Sequence, residues 1–334
     1  MTGTGKVVAI VGATGAVGQE FLAVLAARAF PVRELRLFAS ARSAGQRLPF
    51  RGEQLPVHPL SERSFEGVDV ALFSAGAAVS REHSRRAVLA GAVVVDNSSA
   101  YRLDPDVPLV VPEVNVEALR GHRGIVANPN CSTILLVLAL APLHRAAGLR
   151  SVVVSTYQAA SGAGQQAMHE LRESLAASLR GEPAPPPRAL PQGLAFNVFP
   201  HVDVFLADGY TREEDKLLYE TRKILGLPTL AVDATCVRVP VERCHSESVA
   251  VALERPLTVE QARALLASAP GLEVVDDPAQ KRYPMPIAMA GRDDVAVGRL
   301  RAGRVLANGL TFWLAGDQLR KGAALNAVQI AERL

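Results

Sequence analysis

One of the three cysteines lies where a helix is predicted to begin. Cys131 follows the Asn-Pro-Asn segment at 128–130 and precedes an apolar, helix-forming stretch at Ile134–Ala147. Unpaired backbone N–H groups and the helix dipole at such a position favour the thiolate, which is the nucleophilic form of cysteine. Ser132 or Thr133 could cap the same turn. The position therefore suits a nucleophile, and on position alone the alternative of a structural thiol stays open.

A cysteine nucleophile needs a group that handles protons and groups that hold the substrate. His245 lies in a polar turn before a predicted strand, where its ring could reach a cleft or could be an ordinary turn histidine. Arg238 lies among valines on the predicted strand Thr235–Val241, a costly place for a guanidinium unless it is paired or binds an anion. Arg102 follows the end of an earlier predicted strand, on the ligand side of such sheets.

One face of the helix predicted from Thr211 carries charged side chains at helical spacing: Glu213, Lys216, Glu220 and Lys223. By itself, such a stripe predicts a solvated face with ion pairs three or four residues apart. Cys236 lies within an alternating strand pattern and is predicted to be a core residue.

The first third of the chain alternates short apolar runs with helix-forming stretches. Strands are predicted at Lys6–Val11, Glu34–Ala39, Val68–Ser74 and Ala92–Asp96, and helices at Ala16–Arg28 and Glu82–Ala90. Continuous apolar runs are typical of strands covered on both faces, so the pattern predicts a doubly wound α/β fold. We interpret residues 1–130 as a Rossmann-type nucleotide-binding domain.

The remainder of the chain has longer, alternating strands. They are predicted at Ser151–Gln158, Thr235–Val241 and Ser248–Leu253, with helices at Gln165–Leu179 and Thr211–Leu225. This predicts an α+β substrate and dimerisation domain with a mixed sheet over residues 131–316. Gly181–Pro191 holds five prolines and is predicted to be a loop. Asp317–Leu334 has helical periodicity, and we expect this helix to pack back on the first domain.

A glycine turn, GATGAVG at 12–18, joins the first predicted strand to the first helix. Glycines let the backbone turn sharply and approach a pyrophosphate, whose charge suits a helix N-terminus. The turn predicts dinucleotide contacts at Gly12, Thr14, Gly15, Ala16 and Val17.

The end of the second strand favours NADP over NAD. NAD sites usually place an acidic residue there, on the ribose hydroxyls. This strand is followed by Ser40, Arg42 and Ser43, which could hydrogen-bond a 2′-phosphate. Ser74 and Gly76, after a later strand, would form more of the cofactor cleft.

Composition excludes several other classes of protein. The longest apolar runs fall far short of the roughly 20 residues that span a bilayer, and no signal stretch is visible, which predicts a cytoplasmic protein. Net charge is only +3 and the basic residues are scattered, which argues against a nucleic-acid partner. Three cysteines do not make a disulfide framework, and no metal site is predicted.

From about residue 6 to the C-terminus, the chain resembles the aspartate-semialdehyde dehydrogenase family. Four stretches carry the resemblance: GATGAVG at 12–18, NPNCST at 128–133, YQAASGAG at 157–164 and RVPVERCHSE at 238–247. Two weaker matches are REEDK at 212–216 and GDQLRKGAALNAVQIAE at 316–332. The family's ASARSAG-type segment also matches residues 39–45, which supports NADP. The glycine turn is widespread, whereas the cysteine and histidine in these contexts and in this order are far more specific.

The resemblance implies a role for each site residue. Cys131 would attack an acyl phosphate and form a thioester, Gln158 would orient the substrate, and His245 would be the acid–base group. Arg238 would hold the substrate carboxylate, with Glu213 at the amino group. The phosphate would be bound by Arg102, Asn130 and Lys216. The nicotinamide side of the cofactor would be lined by Ser161, Gly162 and Gln318. Glu220 and Lys223 would stay ordinary surface residues.

The activity implied is NADPH-dependent reduction of β-aspartyl phosphate to aspartate semialdehyde and phosphate. Such an enzyme serves the biosynthesis of lysine and diaminopimelate, threonine and methionine, and acts as a homodimer on small molecules. The alternatives are an N-acetyl-glutamyl-phosphate reductase-like enzyme and a nucleotide-binding homologue with impaired catalysis. A glyceraldehyde-3-phosphate-type dehydrogenase also uses a cysteine nucleophile, but the sequence expected around that cysteine is absent from this chain.

One position departs from the family pattern. The family usually has glycine before the catalytic histidine, whereas this chain has Cys244. If the backbone there needs a positive φ, a cysteine is strained; if the position only needs close packing, a cysteine can fit. A second thiol next to the histidine could also form a disulfide with Cys131.

Overall fold

The computed structural model describes residues 5–334 of this 334-residue chain. The chain divides into two compact units. The residues up to Asn130, together with Ala323–Leu334, form the first unit, and Cys131–Gly322 form the second. Within the described part of the chain, no helix is long and apolar enough to cross a membrane.

The first unit alternates strands with helices, in the order β1 (Lys6–Val11), α1 (Ala16–Ala27), β2 (Val32–Ala39), β3 (Arg47–Phe50), β4 (Glu53–Pro59), β5 (Val70–Phe73), α2 (Ala77–Leu89), β6 (Val93–Asp96), α3 (Pro112–Asn115) and β7 (Ile125–Ala127). Its strands form one sheet in the order β3-β4-β2-β1-β5-β6-β7. All neighbours are parallel except β3 and β4, which pair antiparallel. The predicted doubly wound nucleotide-binding fold is confirmed.

The β3–β4 hairpin was not predicted from the sequence. Pro49 and Pro56 lie within its strands, and proline weakens a strand prediction because it donates no ladder hydrogen bond. The hairpin turns at Arg51 and Gly52, which both have positive φ, at 48° and 87°. Positive φ at two consecutive turn residues matches the twist of a two-residue hairpin.

The second unit contains α4 (Cys131–Ala147), β8 (Leu149–Gln158), α5 (Gln165–Leu179), α6 (Arg212–Leu225), β9 (Ala231–Arg238), β10 (His245–Leu253), α7 (Val259–Ser268), β11 (Leu272–Val274), α8 (Pro286–Met289), β12 (Val295–Ala302) and β13 (Leu310–Gly316). Six strands form a mixed sheet in the order β11-β12-β13-β10-β8-β9. The α+β prediction with a mixed sheet is confirmed. Gly181–Pro191 has no regular element, as its prolines predicted.

One face of this second sheet is covered by helices. Helix α4 packs on β8 and β10, and α6 packs on β9 and α4. Along β8 the residues that face these helices are buried, among them Val154, Thr156 and Gln158. On the opposite face Val153 is 45% exposed and Tyr157 packs on Trp313, with ring centroids 5.0 Å apart. Polar residues on the covered face are therefore held within a packed layer.

The C-terminal segment differs from the single helix predicted over Asp317–Leu334. A π-helical turn at Arg320–Ala324 precedes helix α9 (Leu325–Ala331). The buried carboxylate of Asp317 accepts hydrogen bonds from the backbone N–H groups of Leu319 and Arg320, so it caps a turn and the helical segment starts only after it. Helix α9 packs with α1 and α3 of the first unit, as expected for a returning helix.

Candidate active site

Cys131 is the first residue of α4, as predicted. Its side chain is half-buried and reduced. A Cβ built on Gly322 would lie 3.1 Å from the Cys131 Cβ, so a glycine at 322 leaves room beside the thiol. Negative charge on this thiol would favour the charged form of Arg238, so the two side chains interact electrostatically.

Three strands bring the other candidate residues to one edge of the second sheet. Gln158 and Arg238 are the last residues of the parallel strands β8 and β9 and are direct Cα partners. The sequence predicted β9 to run to Val241, but Pro240 cannot donate to the ladder and the strand ends at Arg238. His245 begins β10, which runs antiparallel to β8. Residues far apart in sequence thus meet at one edge.

His245 is fully buried, and its ring is held by the backbone. Its Nδ1 accepts a hydrogen bond of 3.0 Å from the N–H of Ala159. Burial, followed by the charge of Arg238, lowers the pKa of His245 to about 3, so the ring is neutral near pH 7. Because Nδ1 is the acceptor, the proton of the neutral ring lies on Nε2.

Gly162 lies against both His245 and Arg238. A Cβ at this position would lie 3.0 Å from Cε1 and 3.1 Å from Nε2 of His245, and 3.1 Å from Nη1 of Arg238. These distances are shorter than ordinary van der Waals contacts. A side chain on residue 162 would therefore displace the histidine, the arginine or both.

Arg238 is buried and donates from Nη1 to the carbonyl oxygen of Ala159 at 2.7 Å. Burial lowers the pKa of its guanidinium, while Glu213 and Cys131 act in the opposite direction. Its Nε has no hydrogen-bond partner within the described residues. The guanidinium is therefore oriented by the chain and keeps a donor for an anion.

The Gln158 amide is oriented from both ends. Its Oε1 accepts from the Thr156 hydroxyl at 3.0 Å, and its Nε2 donates to Glu213 at 3.1 Å. Lys216 contacts Glu213 at 2.9 Å and Asp203 at 2.7 Å. Burial lowers the pKa of Lys216, but the two carboxylates outweigh it and the pKa is raised, so the ammonium stays charged. Thr156 and Asp203 were missed in the sequence, since neither lies in a recognised motif.

The charged stripe on α6 is not the solvated face that its spacing predicted. Glu213 and Glu220 are both buried, because α6 packs on α4 and β9. Glu220 was expected to be an ordinary surface residue, and that expectation is wrong. Spacing shows which side chains share a helix face, but the neighbouring elements decide whether the face is covered.

Cys244 has a backbone φ of 78°, in the left-handed region that favours glycine. Its side chain is fully buried against Met289, Ala296 and Ala315. Burial, followed by the charge of Asp317, raises the pKa of its thiol to about 12, so the thiol stays protonated. Cys131 and Cys244 are both free, so the structure contains no disulfide between them.

Gln318 connects the segment before His245 to the turn at 160–163. Its Oε1 accepts from the Cys244 N–H at 2.8 Å, and its Nε2 donates to the Ser161 hydroxyl. The neighbouring Asp317, which the sequence reasoning missed, accepts from Arg243 at 2.7 Å. The two residues before His245 are therefore held by Asp317 and Gln318.

In the first unit, the glycine turn needs two of its glycines for close packing. Gly12 has a φ of 90°, and a Cβ there would lie 2.3 Å from the carbonyl oxygen of Ser74. A Cβ on Gly18 would lie 2.2 Å from the carbonyl oxygen of Gly12. Gly15 is the N-cap of α1, and no side chain of this residue caps the first N–H groups of the helix. Such a turn fits a pyrophosphate.

The residues proposed for the cofactor ribose lie next to this turn. Ser40 precedes a 3₁₀ turn at Ala41–Ser43, in which the Arg42 side chain is exposed. The Thr14 hydroxyl lies 3.3 Å from the Ser43 hydroxyl, so the glycine turn and the end of β2 are adjacent. Gly76, with a φ of 86°, is the N-cap of α2 and would have open space around a Cβ. This part of the first unit fits a dinucleotide.

Arg102 is buried in the first unit and held by two backbone carbonyls. Its Nε donates to Asn128 at 3.0 Å and its Nη2 to Asn97 at 2.7 Å. Asn130, where the first of the unit's two chain segments ends, is also buried. Within the described residues, no group of three or more His, Cys, Asp or Glu side chains could hold a metal ion.

Comparison with known proteins identifies the class to which this fold and site belong. Residues 7–122 match the family described as semialdehyde dehydrogenase, NAD binding domain, and residues 140–321 match semialdehyde dehydrogenase, dimerisation domain. The class is that of semialdehyde dehydrogenases with a nicotinamide nucleotide domain. More particularly, the chain belongs to the aspartate-semialdehyde dehydrogenase family, and the resemblance of its motifs is confirmed.

Relatives match over the whole length of the chain. The aspartate-semialdehyde dehydrogenase of Aquifex aeolicus is 54% identical over 98% of this chain and 97% of its own. A crystal structure of aspartate semialdehyde dehydrogenase II from Vibrio cholerae, complexed with ASA, has a TM-score of 0.96 and 44% identity, covering 99% of this chain and 98% of that one. The Candida albicans enzyme, solved with NADP, has a TM-score of 0.77 and 27% identity, with 99% and 98% covered.

Proposed function

We propose that this chain reduces β-aspartyl phosphate to aspartate semialdehyde and inorganic phosphate with NADPH, through a thioester on Cys131. The observation that carries the proposal is the arrangement in the second unit: a cysteine at the N-terminus of α4 with Arg238, Gln158 and His245 at one sheet edge. The activity would serve the biosynthesis of lysine and diaminopimelate, threonine and methionine.

The substrate is an amino acid with a free α-carboxylate and α-amino group, and the second unit offers a partner for each. Arg238 is buried, charged and oriented by Ala159, which suits a carboxylate. Glu213, fixed between Gln158 and Lys216, suits an ammonium group. An N-acetylated substrate has no ammonium, so this pair favours the aspartyl compound over N-acetyl-glutamyl phosphate.

The phosphate ligands proposed are Arg102, Asn130 and Lys216. Arg102 is a buried guanidinium whose position is fixed by two carbonyls, and planar guanidinium groups recognise phosphate oxygens with directional hydrogen bonds. Lys216 is now paired with Glu213 and Asp203, so it would exchange the more exposed partner, Asp203, for phosphate.

The first chemical step forms a bond between the Cys131 sulfur and the acyl carbon and breaks the bond from that carbon to the phosphate oxygen. Phosphate leaves with the bonding electron pair, and a thioester remains. Gln158, which is fixed by Thr156 and Glu213, would orient the acyl group. When bound, the reduced nicotinamide supplies a hydride to the thioester carbonyl carbon. The carbon–sulfur bond then breaks, releasing the aldehyde and restoring the thiolate.

His245 supports these steps as a hydrogen-bond donor from Nε2. Because the Ala159 N–H occupies Nδ1, the neutral ring can direct its Nε2 proton at negative charge on the sulfur or on the oxyanion. The acid–base role implied by the family resemblance would require the ring to give up the Ala159 contact, or to carry two protons despite its low pKa.

NADP is proposed as the cofactor, with Gly12, Thr14, Gly15, Ala16 and Val17 at the pyrophosphate. Ser40, Arg42 and Ser43 would take the 2′-phosphate, while Ser74, Gly76, Ser161, Gly162 and Gln318 would line the rest of the cofactor site. The absence of an acidic residue at 40–43 supports this preference, since an acidic side chain would repel the extra phosphate. A homodimer is proposed through residues 140–321, which match a dimerisation domain, and a cytoplasmic location stays a prediction.

The deciding experiment is an assay in the reverse direction, with aspartate semialdehyde and phosphate, following reduction of NADP or NAD. Phosphate-dependent reduction that is faster with NADP is the expected result. Cys131→Ala is the control for the thioester, and N-acetyl-glutamate semialdehyde is the control for the substrate. Near wild-type turnover in Cys131→Ala would overturn the thioester, and an inactive wild type would favour a homologue with impaired catalysis.

A further inference from the structure

Three asparagine side chains form a continuous chain of hydrogen bonds in the first unit. Asn326 of helix α9 is fully buried, and its Nδ2 donates to the Asn128 Oδ1 at 2.7 Å. The Nδ2 of Asn128 donates in turn to the Asn97 Oδ1. We name Asn326, Asn128 and Asn97 the asparagine relay. Helix α9 is thereby connected to the segments that follow β7 and β6.

The direction of the relay is set by a backbone carbonyl. The Nδ2 of Asn326 also donates to the carbonyl oxygen of Val110 at 2.9 Å, which identifies that atom as the nitrogen. The atom of Asn128 facing it must then be an oxygen, and the other end of the Asn128 amide must be a donor. All hydrogen bonds of the relay are therefore donated in one direction, from Asn326 toward Asn97. A carboxylate in place of the Asn326 amide would face two acceptors, the Val110 carbonyl and the Asn128 Oδ1.

The backbone of the same relay residues holds the phosphate-binding candidate. Arg102 donates from Nε to the Asn128 carbonyl and from Nη2 to the Asn97 carbonyl. The hydrogen bond between the Asn128 and Asn97 side chains keeps these two segments together. The spacing of the two carbonyls, and with it the plane of the guanidinium, therefore depends on the relay.

We propose that Asn326 is a positioning residue for phosphate recognition, acting through Asn128 and Asn97 on Arg102. The inference rests on the proposed function, in which Arg102 binds phosphate. Directional recognition of phosphate by a guanidinium needs the N–H groups to be aimed correctly. Loss of the Asn326 amide leaves Arg102 in place as a charge but loosens its orientation. The affinity for phosphate should therefore decrease, while the affinities for aspartate semialdehyde and NADP should not change.

The test compares Asn326→Ala with a matched control, Asn115→Ala. Asn115 is another buried asparagine of the first unit, but its amide bonds to the backbone of Leu109 and Val111. In the phosphate-dependent reduction of NADP, Asn326→Ala should raise the KM for phosphate roughly 2- to 10-fold, the range expected when one net hydrogen bond is lost. The KM values for aspartate semialdehyde and NADP should not change. Asn115→Ala should leave all three unchanged, even where both variants lower Tm.

A double-variant cycle distinguishes the relay from a general loss of structure. With Arg102→Ala as background, adding Asn326→Ala should cause no further rise in the KM for phosphate, because the group it positions is absent. If Asn326→Ala does not fold, Asn128→Ala breaks the relay at its middle residue while keeping the backbone carbonyl that Arg102 uses, and the same shift is expected.

The outcomes separate this inference from the proposed function. If Arg102→Ala raises the KM for phosphate but neither relay variant does, the positioning role is overturned and the function stands. The positioning role is also overturned if Asn326→Ala raises the KM for all three ligands equally. If Arg102→Ala leaves the KM for phosphate unchanged, Arg102 is not the phosphate ligand, and both that assignment and the relay's role fail.

Discussion

The backbone N–H of Ala159 donates a 3.0 Å hydrogen bond to Nδ1 of His245. The ring is buried, and burial and Arg238 lower its pKa to about 3, well below the ordinary value of 6.5. His245 is therefore neutral in the folded protein at every pH at which the protein is expected to work. The neutral ring is held in one tautomer, with the proton on Nε2. This nitrogen lies at the end of the ring next to Gly162.

A low pKa for His245 predicts loss of stability in acid. Unfolded histidine takes up a proton below about pH 6.5, while folded His245 does not until about pH 3, so protons favour the unfolded chain between these values. The stability is present above pH 6.5 and is lost as pH falls toward 3. Between pH 6.5 and pH 5, the free energy of unfolding of wild type should fall by about 2 kcal/mol more than that of His245→Gln. Urea unfolding at both pH values measures this. His169→Asn, at an exposed site on α5, should behave like wild type, and equal slopes for all three proteins would refute the shifted pKa.

Glu247 predicts the opposite pH dependence. Its carboxyl group is fully buried, neither oxygen has a hydrogen-bond partner within the described residues, and burial raises its pKa well above the ordinary value. A raised acid pKa gives stability that is complete below about pH 4.5 and is lost as pH rises through the folded pKa. Glu247→Gln, which is isosteric and cannot ionise, should unfold at a higher urea concentration than wild type at pH 8 and lose this advantage at pH 5. The exposed Glu182→Gln is the control, and a destabilised Glu247→Gln at pH 8 would show that the carboxylate is stabilised after all.

Only one thiol should react quickly with an alkylating reagent. Burial raises the pKa of Cys236 and raises that of Cys244 to about 12, whereas Cys131 is half-buried at a helix N-terminus. With iodoacetamide at pH 8, peptide mass spectrometry should find Cys131 modified first, and a substrate analogue should protect it. Cys131→Ser should lose the fast phase and Cys236→Ala should keep it. Fast modification at Cys244 would contradict the burial described for that thiol.

The left-handed backbone at residue 244 predicts an unusual order of stability. Cys244→Gly should be about 1 kcal/mol more stable than Cys244→Ala, because a Cβ is disfavoured at a φ of 78°. Both variants remove the sulfur, so the comparison isolates the backbone. In the first turn of α5, where the backbone is helical, Ala167→Gly should lower stability, which is the usual effect of replacing alanine by glycine. Urea unfolding of the variants against wild type gives the order, and an alanine variant as stable as the glycine variant would show that no strain is present.

A methyl group at residue 162 should reduce turnover without unfolding the chain. In Gly162→Ala, the new Cβ would lie about 3 Å from His245 and Arg238, so one or both must shift by a few tenths of an ångström. A displacement of about 1 Å typically costs on the order of 100-fold in rate, so this smaller shift should cost roughly 10-fold. Gly193→Ala is the matched control, since a Cβ there meets open space. Steady-state kinetics with Tm measured in parallel separates the two effects, and normal turnover in Gly162→Ala would show that the site tolerates the shift.

The sequence by itself determined the fold class and the position of Cys131 at the start of a helix. Continuous apolar strands, a glycine turn and a helix beginning at Cys131 depend on local spacing, and β1 and α5 have the predicted bounds. The motifs also determined the family, because residue types in a fixed order can be recognised without coordinates. Local patterns failed where proline interrupts a strand, as in the β3–β4 hairpin, and where a capped turn delays the start of a helix, as at Asp317.

Tertiary structure alone decided how the site residues are held and which of them are buried. The burial of Glu220 depends on α4 and β9, the orientation of Gln158 depends on Thr156 and Glu213, and the proton position on His245 depends on Ala159. The strain at Cys244 was an open alternative until its φ was known. These properties arise from contacts between residues distant in sequence, and the spacing of residue types along one chain contains no information on what packs against each side chain.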